Sequence, residues 1–319
     1  MTDEWQPGVS REILVMRAAL LQTIREFMAA QGVLEVETPV LGHAAPTDPN
    51  IQSFSTVYQS PSQTDAEVLF LHTSPEFAMK RLLASGSGPV YQISRVFRNE
   101  ESGKFHNPEF TMLEWYQPGF GCRELMNQLN DLLQRLQLQP AETRTYEELF
   151  VSVTGINPHT ADLRELQSLA QELGLVSRSN DRSDLLDFIF SHKVFPVPGQ
   201  ARPIFVTEFP ACQCALARIS GTEPPVAERF ELFINGIEIA NGYHELCDAS
   251  EQRQRFEADL ERRKKAGKQL NPLDEKFLQA LSAGLPPCAG VSVGLDRLLM
   301  VMHGLQSIAD VLPFPVDRI

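Results

Sequence analysis

The spacing of apolar positions divides the chain into helical and extended segments. After Ser10, a residue type favoured at helix N-caps, apolar side chains recur at helical spacing until Gly32. Residues 33–41 then alternate as a strand, and Pro39 among them predicts a sheet edge, a bulge or a strand end. A sheet edge beside a long helix predicts a homodimer interface. Residues 42–65, rich in Pro, Ser, Thr and Gln, predict a loop.

A first β-hairpin is predicted around a polar loop. Residues 91–100 alternate as a strand, and residues 109–116 return as a second one. Period-two alternation places Arg98 and Glu100 on one face, and it groups three further side chains on the return strand: Phe110, Glu114 and Tyr116. A guanidinium can clamp a phosphate, a carboxylate can accept from an exocyclic amine, and a ring can cover a base. The hairpin would therefore suit a nucleotide, although solvated edge charges are the alternative.

A second hairpin is predicted over residues 226–246, where Asn235-Gly236 is flanked by alternating apolar residues. The turn sets a register in which Ile234 lies opposite Ile237, Phe233 opposite Glu238 and Glu231 opposite Ala240, with Glu231 and Glu238 on one face. Two carboxylates on a half-buried face repel each other unless a cation separates them or one keeps a proton. Mg²⁺ would supply that cation, and a solvent-exposed pair is the alternative.

The position of Glu245 is a geometric test of this hairpin. Strict alternation from Glu238 directs Glu245 to the opposite face, the one that carries the apolar residues. A ligand role for Glu245 would therefore require a bulge or bend at Asn241-Gly242.

Helical segments occupy much of the remaining chain. Thr73-Ser74-Pro75-Glu76 predicts a helix start with Ser74 as the cap, where Glu76 either complements the helix dipole or binds a ligand. Residues 122–136, 161–173 and 183–190 predict helices, and a mainly helical insertion is predicted at about 150–225. The run Arg262-Arg263-Lys264-Lys265 ends another predicted helix, where cations oppose the dipole; an acidic partner is the alternative.

Near the C-terminus, residues 290–297 predict a glycine-rich strand that turns into a helix. Glycines let a ligand lie against the backbone, and Arg297 adds a guanidinium in the first helical turn, a place suited to anions.

Composition limits the function classes. The 319 residues, 43% hydrophobic, are enough for a sizeable core, and the net charge of −13 disfavours an extended nucleic-acid footprint. Five cysteines without paired spacing indicate neither a disulfide framework nor a zinc site, and Cys212-Gln213-Cys214 is better explained by free thiols than by a metal site. The sequence shows no signal-peptide pattern and no stretch of transmembrane length, which predicts a cytoplasmic protein without a membrane partner.

Three stretches together resemble the catalytic core of a class II aminoacyl-tRNA synthetase. Residues 32–41 are similar to its first motif, residues 97–110 to its second and residues 290–297 to its third. The sequences TSPEFAMKRLL, FRNEESGKFHNPEFTMLEWY and GIEIANGYHEL are similar to segments of lysyl-tRNA synthetases. The resemblance weakens between residues 141 and 225. It implies an α+β fold, an antiparallel sheet flanked by helices, as one catalytic domain over residues 1–319 that dimerises through the first motif.

The resemblance also implies site roles. Arg98 and Arg297 are the implied catalytic residues. The implied ATP-binding set is Arg98, Asn99, Glu100, His106, Asn107, Phe110, Glu238, Ile239, Gly294 and Arg297. The implied amino-acid set is Ser74, Pro75, Glu76, Glu114, Tyr116, Asn241, Glu245 and Ser292. Glu76 would receive the backbone-side amine, and Glu114, Tyr116 and Glu245 the side-chain ammonium. Glu231 and Glu238 would bind Mg²⁺.

Two departures from lysyl-tRNA synthetases change the implied function. The catalytic segment starts by Ser10, which leaves no room for their N-terminal anticodon-binding domain, and Ser74 and Ser292 stand where those enzymes have an alanine and a glycine. Both departures resemble the stand-alone paralogues that attach β-lysine to a lysine side chain of elongation factor P. The resemblance implies ATP-dependent adenylate formation from (R)-β-lysine or lysine, with elongation factor P as partner rather than tRNA.

Two alternatives stay open at this point. One is a truncated enzyme that charges tRNA, and the other is a catalytically silent regulatory paralogue. Four site residues argue against a silent paralogue: Arg98, Glu100, Glu238 and Arg297.

Overall fold

The computed structural model describes residues 5–61, 66–176, 179–195 and 202–319. In chain order the elements are α1 (Arg11–Ala30), β1 (Leu34–Glu35), β2 (Leu41–Gly42), β3 (Ser55–Tyr58), β4 (Glu67–Leu71), α2 (Glu76–Ala84), β5 (Val90–Phe97), β6 (Glu109–Pro118), α3 (Cys122–Arg135), β7 (Glu142–Thr145), α4 (Tyr146–Thr154), α5 (Leu163–Glu172), α6 (Arg182–Ile189), β8 (Ile204–Pro210), β9 (Val226–Ile234), β10 (Ile237–His244), α7 (Ala249–Lys265), α8 (Glu275–Gly284), β11 (Cys288–Gly294) and α9 (Leu295–Met302). A π-helical turn, Phe190–Val194, continues α6.

The chain forms two compact units. The first comprises Met1–Gly119, Cys247–Cys288 and Ser292–Ile319, and the second comprises Phe120–Leu246 and Ala289–Val291. The predicted insertion at about 150–225 falls within the second unit, except that residues 177–178 and 196–201 lie outside the described residues, as do residues 62–65 of the predicted loop. Within the described ranges, no helix has the length and apolarity needed to cross a membrane.

In the first unit, β1 pairs in parallel with β5, and β5 pairs antiparallel with β6. A separate small sheet has the order β2-β4-β3. The stretch predicted as one strand over residues 33–41 therefore forms two short strands on either side of Pro39, which cannot donate a ladder hydrogen bond. Helix α1 begins where predicted, with the Ile13 amide donating to the Ser10 hydroxyl.

The β5–β6 hairpin differs from the prediction at its tip. Strand β5 ends at Phe97, opposite Glu109, so Arg98 and Glu100 lie in the connecting loop and do not share a strand face. The backbone of Glu100 has a φ of 68°, a left-handed conformation that no strand contains. The alternation predicted for β6 is confirmed, because Glu114 lies opposite Gln92 and Tyr116 opposite Val90 in a regular ladder.

In the second unit, the strand order is β10-β9-β8-β7. The pairs β10–β9 and β9–β8 are antiparallel, and β8–β7 is parallel. The predicted helices at residues 161–173 and 183–190 correspond to α5 and α6. Helices α4 to α6 and the π-helical turn pack on one face of these strands through an aromatic core: Tyr146, Phe150, Phe190, Phe195, Phe209 and Phe233.

The β9–β10 register is confirmed near the turn and wrong beyond it. Ile234 pairs with Ile237 and Phe233 with Glu238, and Asn235 and Gly236 have the positive φ angles that such a turn requires. A bulge between Glu238 and Ala240 then shifts the ladder by one residue. Glu231 consequently faces Asn241 and not Ala240, because the bulge adds an unpaired residue at Ile239.

Candidate active site

The first unit brings Arg98 and Phe110 together. The guanidinium carbon of Arg98 lies 5.2 Å from the centroid of the Phe110 ring. One of its terminal nitrogens, Nη1, is 3.7 Å from Glu101 Oε1. The Nε of Arg98 is buried and has no hydrogen-bond partner within the described residues. A buried donor that is still free suits an added acceptor such as a phosphate or a carboxylate.

Residues 99 and 100 form a tight turn beside Arg98. The amide of Glu100 donates to Asn99 Oδ1 at 3.0 Å, and the amide of Asn99 donates to the carbonyl oxygen of Gln52 at 2.8 Å. Hydrogen bonds made by Asn99 and Gln52 therefore stabilise the left-handed backbone of Glu100, a conformation that is uncommon for a non-glycine residue. Such conformations persist where surrounding structure stabilises them, and they cluster at functional sites.

Arg297 contacts the same loop from the first turn of α9. Its Nη2 lies 2.6 Å from His106 Nε2, and its Nε donates to the carbonyl oxygen of Phe105 at 3.1 Å. Gly294 caps α9 and so places Arg297 at the helix N-terminus. The loop residues His106 and Asn107 are thus next to one of the two predicted catalytic arginines.

Asn107 has a structural use in addition to the predicted one. It is 7% exposed, its Nδ2 donates to the carbonyl oxygen of Glu109 at 2.6 Å, and its Oδ1 accepts from the amide of Val316 at 3.0 Å. Both halves of its side-chain amide therefore stabilise the backbone around the loop.

Asp296 was missed by the sequence reasoning, although it precedes Arg297. It is 1% exposed, and it accepts from the Thr111 amide in β6 at 2.6 Å and from the guanidinium of Arg17 in α1. Because it ties α9 to β6, it fixes the helix turn that carries Arg297. Its position directly before an arginine at a helix start was the available signal.

A buried acidic pocket lies at the junction of α2 and β6. Glu114 is 2% exposed, and the Ser74 hydroxyl donates to its Oε2 at 2.7 Å. The Tyr116 hydroxyl donates to its other oxygen. Helix α2 begins at Glu76 with Pro75 in the cap position, so the prediction of Ser74 as the cap residue is wrong. The Ser74 oxygen nevertheless accepts from the Glu76 amide at 3.0 Å.

Burial and a neighbouring carboxylate shift the ionisation of Glu114 in this pocket. Burial first, and then the charge of Glu76, raise the pKa of Glu114 to about 7, against the opposing effects of the Tyr116 and Ser74 hydroxyls and of Lys80. Carboxylates that share a site disfavour each other's ionisation. A ligand cation would relieve both effects.

Lys80 is a second residue that sequence reasoning missed. Its side chain is only 1% exposed, and its Nζ lies 2.6 Å from Glu76 Oε1. It also lies 6.0 Å from the Tyr116 ring centroid. A lysine is rarely buried unless it is paired, and here the pair is with a pocket carboxylate. The spacing of four residues between Glu76 and Lys80 on α2 was the available signal.

The second unit carries the acidic face of the β9–β10 hairpin. Glu231 is opposite Asn241, and Phe233 is opposite Glu238, so all four share one face of the sheet. The bulge at Ile239 puts Glu245 on the same face as Glu238, as its predicted role requires. The sequence placed this irregularity at Asn241-Gly242, two residues later along the chain. Glu245 is 1% exposed and directly follows β10.

Arg229 organises this face and was not predicted. Its Nη2 donates to Glu231 Oε1, its Nε to Asn241 Oδ1 at 3.3 Å and its Nη1 to the carbonyl oxygen of Gln213 at 2.8 Å. Its guanidinium carbon lies 4.5 Å from the Phe209 ring centroid. The residue lies two positions before Glu231, so alternation along β9 would have placed it on the same face.

The donor set at Glu231 and Glu238 fits a hard divalent cation. Burial most of all raises the pKa of Glu231 to about 7, Arg229 opposes that rise, and the charge of Glu238 adds to it. Mg²⁺ typically takes one or two carboxylates and completes its shell with phosphate and water oxygens. Within the described ranges, no cluster of three or more His, Cys, Asp or Glu side chains is arranged to hold a metal ion, so Glu231 and Glu238 would be the protein's own ligands.

The remaining predicted residues lie at strand positions. Ile239 is the buried bulge residue of β10. Ser292 is half-buried in β11, two residues before Gly294. The first unit thus holds the predicted residues from Ser74 to Tyr116, together with Ser292, Gly294 and Arg297. The second unit holds those from Glu231 to Glu245.

Comparison with known proteins agrees with the fold. The family model described as tRNA synthetases class II (D, K and N) matches residues 5–318. A protein of Salmonella typhi named elongation factor P–(R)-β-lysine ligase is 48% identical over 321 residues, which cover 99% of each chain. A protein of the same name from Salmonella choleraesuis is equally similar over the same extent.

Proposed function

Since the chain belongs to the class II tRNA synthetases of the D, K and N group, we propose that it activates (R)-β-lysine or lysine with ATP and transfers it to a lysine side chain of elongation factor P. The observation that carries this proposal is the 48% identity, over 99% of both chains, to proteins named for that reaction. The protein is therefore an ATP-dependent, AMP-forming ligase.

The chemistry has two steps. In the first, a carboxylate oxygen of the amino acid attacks the α-phosphorus of ATP, the bond to the pyrophosphate oxygen breaks, and an aminoacyl-adenylate forms. In the second, the amine nitrogen of the recipient lysine attacks the carbonyl carbon, AMP leaves, and the amine loses a proton. No protein nucleophile is needed, so positioning and charge stabilisation supply the acceleration.

The arginines of the first unit suit the phosphate chemistry. The free Nε of Arg98 is available to the α-phosphate and the attacking carboxylate, which would otherwise repel each other. Arg297 would cover the adenine opposite Phe110. Glu100 would accept from the adenine amino group, and Asn99 holds Glu100 in its turn.

The acidic pocket supports a diamine as the amino acid. Glu76 would receive the amine next to the carboxylate, and Glu114 with Tyr116 the side-chain ammonium. Lys80 already balances one carboxylate, so the ligand would supply the remaining positive charge. In the second unit, the bulge puts Asn241 and Glu245 on the same face of the sheet as Glu238, and both are proposed to bind substrate.

Glu231 and Glu238 are proposed to hold Mg²⁺, which when bound would neutralise phosphate charge. Arg229 orients Glu231 and leaves its second oxygen for the cation. We further propose a homodimeric, cytoplasmic protein, as the sequence predicts.

The test has two stages. ATP/pyrophosphate exchange is measured with lysine and with (R)-β-lysine, and labelled amino acid is then offered to elongation factor P and to tRNA. We expect exchange with one of the two isomers, and label on elongation factor P. Label on tRNA alone would replace the proposal with tRNA charging, and no exchange with either isomer would indicate a silent paralogue. Glu114→Gln should abolish exchange, whereas Glu109→Gln, an exposed carboxylate on the same strand, should not.

A further inference from the structure

Arg263 is buried, although it lies in a run of four basic residues. It is 1% exposed. Its neighbour Arg262 has a side chain that is 42% exposed and pairs with Asp259. The helix dipole explains why a cation lies near the C-terminal end of α7, but it does not require the side chain of that cation to be buried. Burial of a guanidinium is unfavourable unless acceptors replace its water, so the acceptors of Arg263 indicate its use.

All nitrogens of the Arg263 guanidinium donate to acceptors. Nη1 donates to the carbonyl oxygens of Asp48 at 2.7 Å and Ile51 at 3.1 Å, and Nη2 donates to Gln52 Oε1 at 2.9 Å. Nε donates to the carbonyl oxygen of Gln269 at 2.7 Å. The planar fork of arginine reaches several acceptors at once, as the point charge of lysine cannot.

Other bonds attach the same loop to α7 and to the region after it. The Thr47 hydroxyl donates to Asp259 Oδ2 at 3.0 Å, and Asn271 Nδ2 donates to the carbonyl oxygen of Pro46 at 2.6 Å. Lys268 Nζ donates to the carbonyl oxygen of Pro49 at 2.6 Å. Residues 46–52, which the sequence predicts to be plain loop, are therefore held along their whole length, with Arg263 as the most buried anchor.

The loop ends against the nucleotide side of the candidate site. The side-chain Oε1 of Gln52 accepts a hydrogen bond from Arg263, and its backbone carbonyl oxygen accepts one from the amide of Asn99 at 2.8 Å. Asn99 in turn accepts from the amide of Glu100, whose φ of 68° needs external support. A continuous path of bonds thus runs from Arg263 through Gln52 and Asn99 to Glu100, all within the first unit.

We propose that Arg263 is a positioning residue for ATP: through residues 46–52 it holds the Arg98-Asn99-Glu100 turn in the conformation that receives the nucleotide. The inference rests on the proposed function only in naming ATP as that nucleotide. Small displacements of substrate-positioning groups reduce rates and affinities strongly, so the loss of a distant anchor should be measurable at the site.

The experiment compares substitutions at Arg263 with a matched control, in the full-length chain. Arg263→Lys keeps the charge but not the fork, Arg263→Met removes both, and Arg253→Met is the matched control, since Arg253 is on the same helix in an exposed pair with Glu275. For each variant, ATP affinity is measured by calorimetry, KM for ATP and for the amino acid by pyrophosphate exchange, and stability by thermal unfolding.

We expect Arg263→Lys to weaken ATP binding about tenfold, the effect of losing one or two charge-assisted bonds. KM for the amino acid should rise less than KM for ATP, because only Arg98 of the turn would reach the amino acid, whereas Glu76 and Glu114, which would bind its amines, lie outside the turn and the loop. Gln52→Met should weaken ATP binding as well. The double variant Gln52→Met with Arg263→Lys should bind ATP no more weakly than the weaker of the two single variants, since both substitutions act on one path of hydrogen bonds.

Two results would overturn the inference. One is a lower unfolding temperature with unchanged ATP affinity, which means that Arg263 is structural only. The other is an equal rise in KM for ATP and for the amino acid, which indicates a general distortion. If the wild-type protein binds ATP but shows no exchange with either lysine isomer, the proposed function fails, and calorimetry still decides the role of Arg263.

Discussion

The pH dependence of amino-acid binding follows from the buried carboxyl of Glu114. Burial and the charge of Glu76 raise its pKa to about 7, so in the free protein much of it is protonated at neutral pH. The side-chain ammonium of lysine, with a pKa of about 10.4, stays charged throughout this range. A protonated Glu114 offers that cation no charge. Binding should therefore be strong above the pKa of Glu114 and weaken as the pH falls through it.

The magnitude comes from proton linkage. If the ligand binds only the ionised form, its dissociation constant should rise about tenfold between pH 8 and pH 6, and again for each further unit until the carboxyl titrates in the complex. The bound cation lowers the pKa of Glu114, so binding below pH 7 should release up to about one proton per site.

Calorimetry in buffers of different ionisation enthalpy measures both the dissociation constant and the proton release. Tyr116→Phe serves as the internal check. It removes a hydrogen bond that favours the ionised carboxylate, worth about 1.5–3 kcal/mol, and should move the midpoint upward by about one to two pH units. A dissociation constant that is flat between pH 6 and pH 8, with no proton released, would refute the reasoning. So would a Tyr116→Phe midpoint equal to that of wild type.

Four further predictions concern single residues. Arg98→Ala should abolish pyrophosphate exchange, and near-normal exchange would remove Arg98 from the mechanism. Ser292→Gly should shift the exchange ratio toward lysine over (R)-β-lysine; an unchanged ratio would exclude Ser292 from selectivity. Arg229→Met should raise the Mg²⁺ concentration for half-maximal exchange about tenfold, since Glu231 loses its orienting partner; an unaltered Mg²⁺ titration would contradict that role. Gly242→Ala should lower stability by about 1–3 kcal/mol in urea unfolding, because a Cβ there would lie 2.4 Å from the Phe230 ring; Gly221→Ala, with open space, should not.

Periodicity predicted the elements of this fold better than their ends. The alternation of β6 placed Glu114 and Tyr116 on one face, and the Asn235-Gly236 turn set the first pairs of β9 and β10. The errors fall where the backbone leaves its regular period. The positive φ of Glu100 ends the strand pattern, and the bulge at Ile239 shifts one strand by a residue. Neither event changes the hydrophobic pattern that the prediction used.

The unpredicted site residues fall into two kinds. Arg229 and Lys80 were within reach of the sequence, since strand parity and helical spacing place them beside Glu231 and Glu76. Arg263 was not, because three of its four acceptors are backbone carbonyls, and two of these lie more than 200 positions away. Every residue carries a carbonyl, so nothing in a residue's type marks which ones an arginine will bind.

Glu114 and Glu231, two carboxylates whose pKa burial raises to about 7, are compensated in different ways, and the difference fits different ligands. Glu231 already has the guanidinium of Arg229 on one oxygen, so its orientation is fixed before any cation arrives. Both oxygens of Glu114 accept from neutral hydroxyls, and the nearby ammonium of Lys80 is bonded to Glu76 instead. Of these two carboxylates, Glu114 is therefore the one whose hydroxyl partners carry no positive charge, which the ammonium of the amino acid can supply. The pocket thus gains most from a ligand that carries a second cation, because an amino acid with an uncharged side chain would leave Glu114 protonated and without an ion pair.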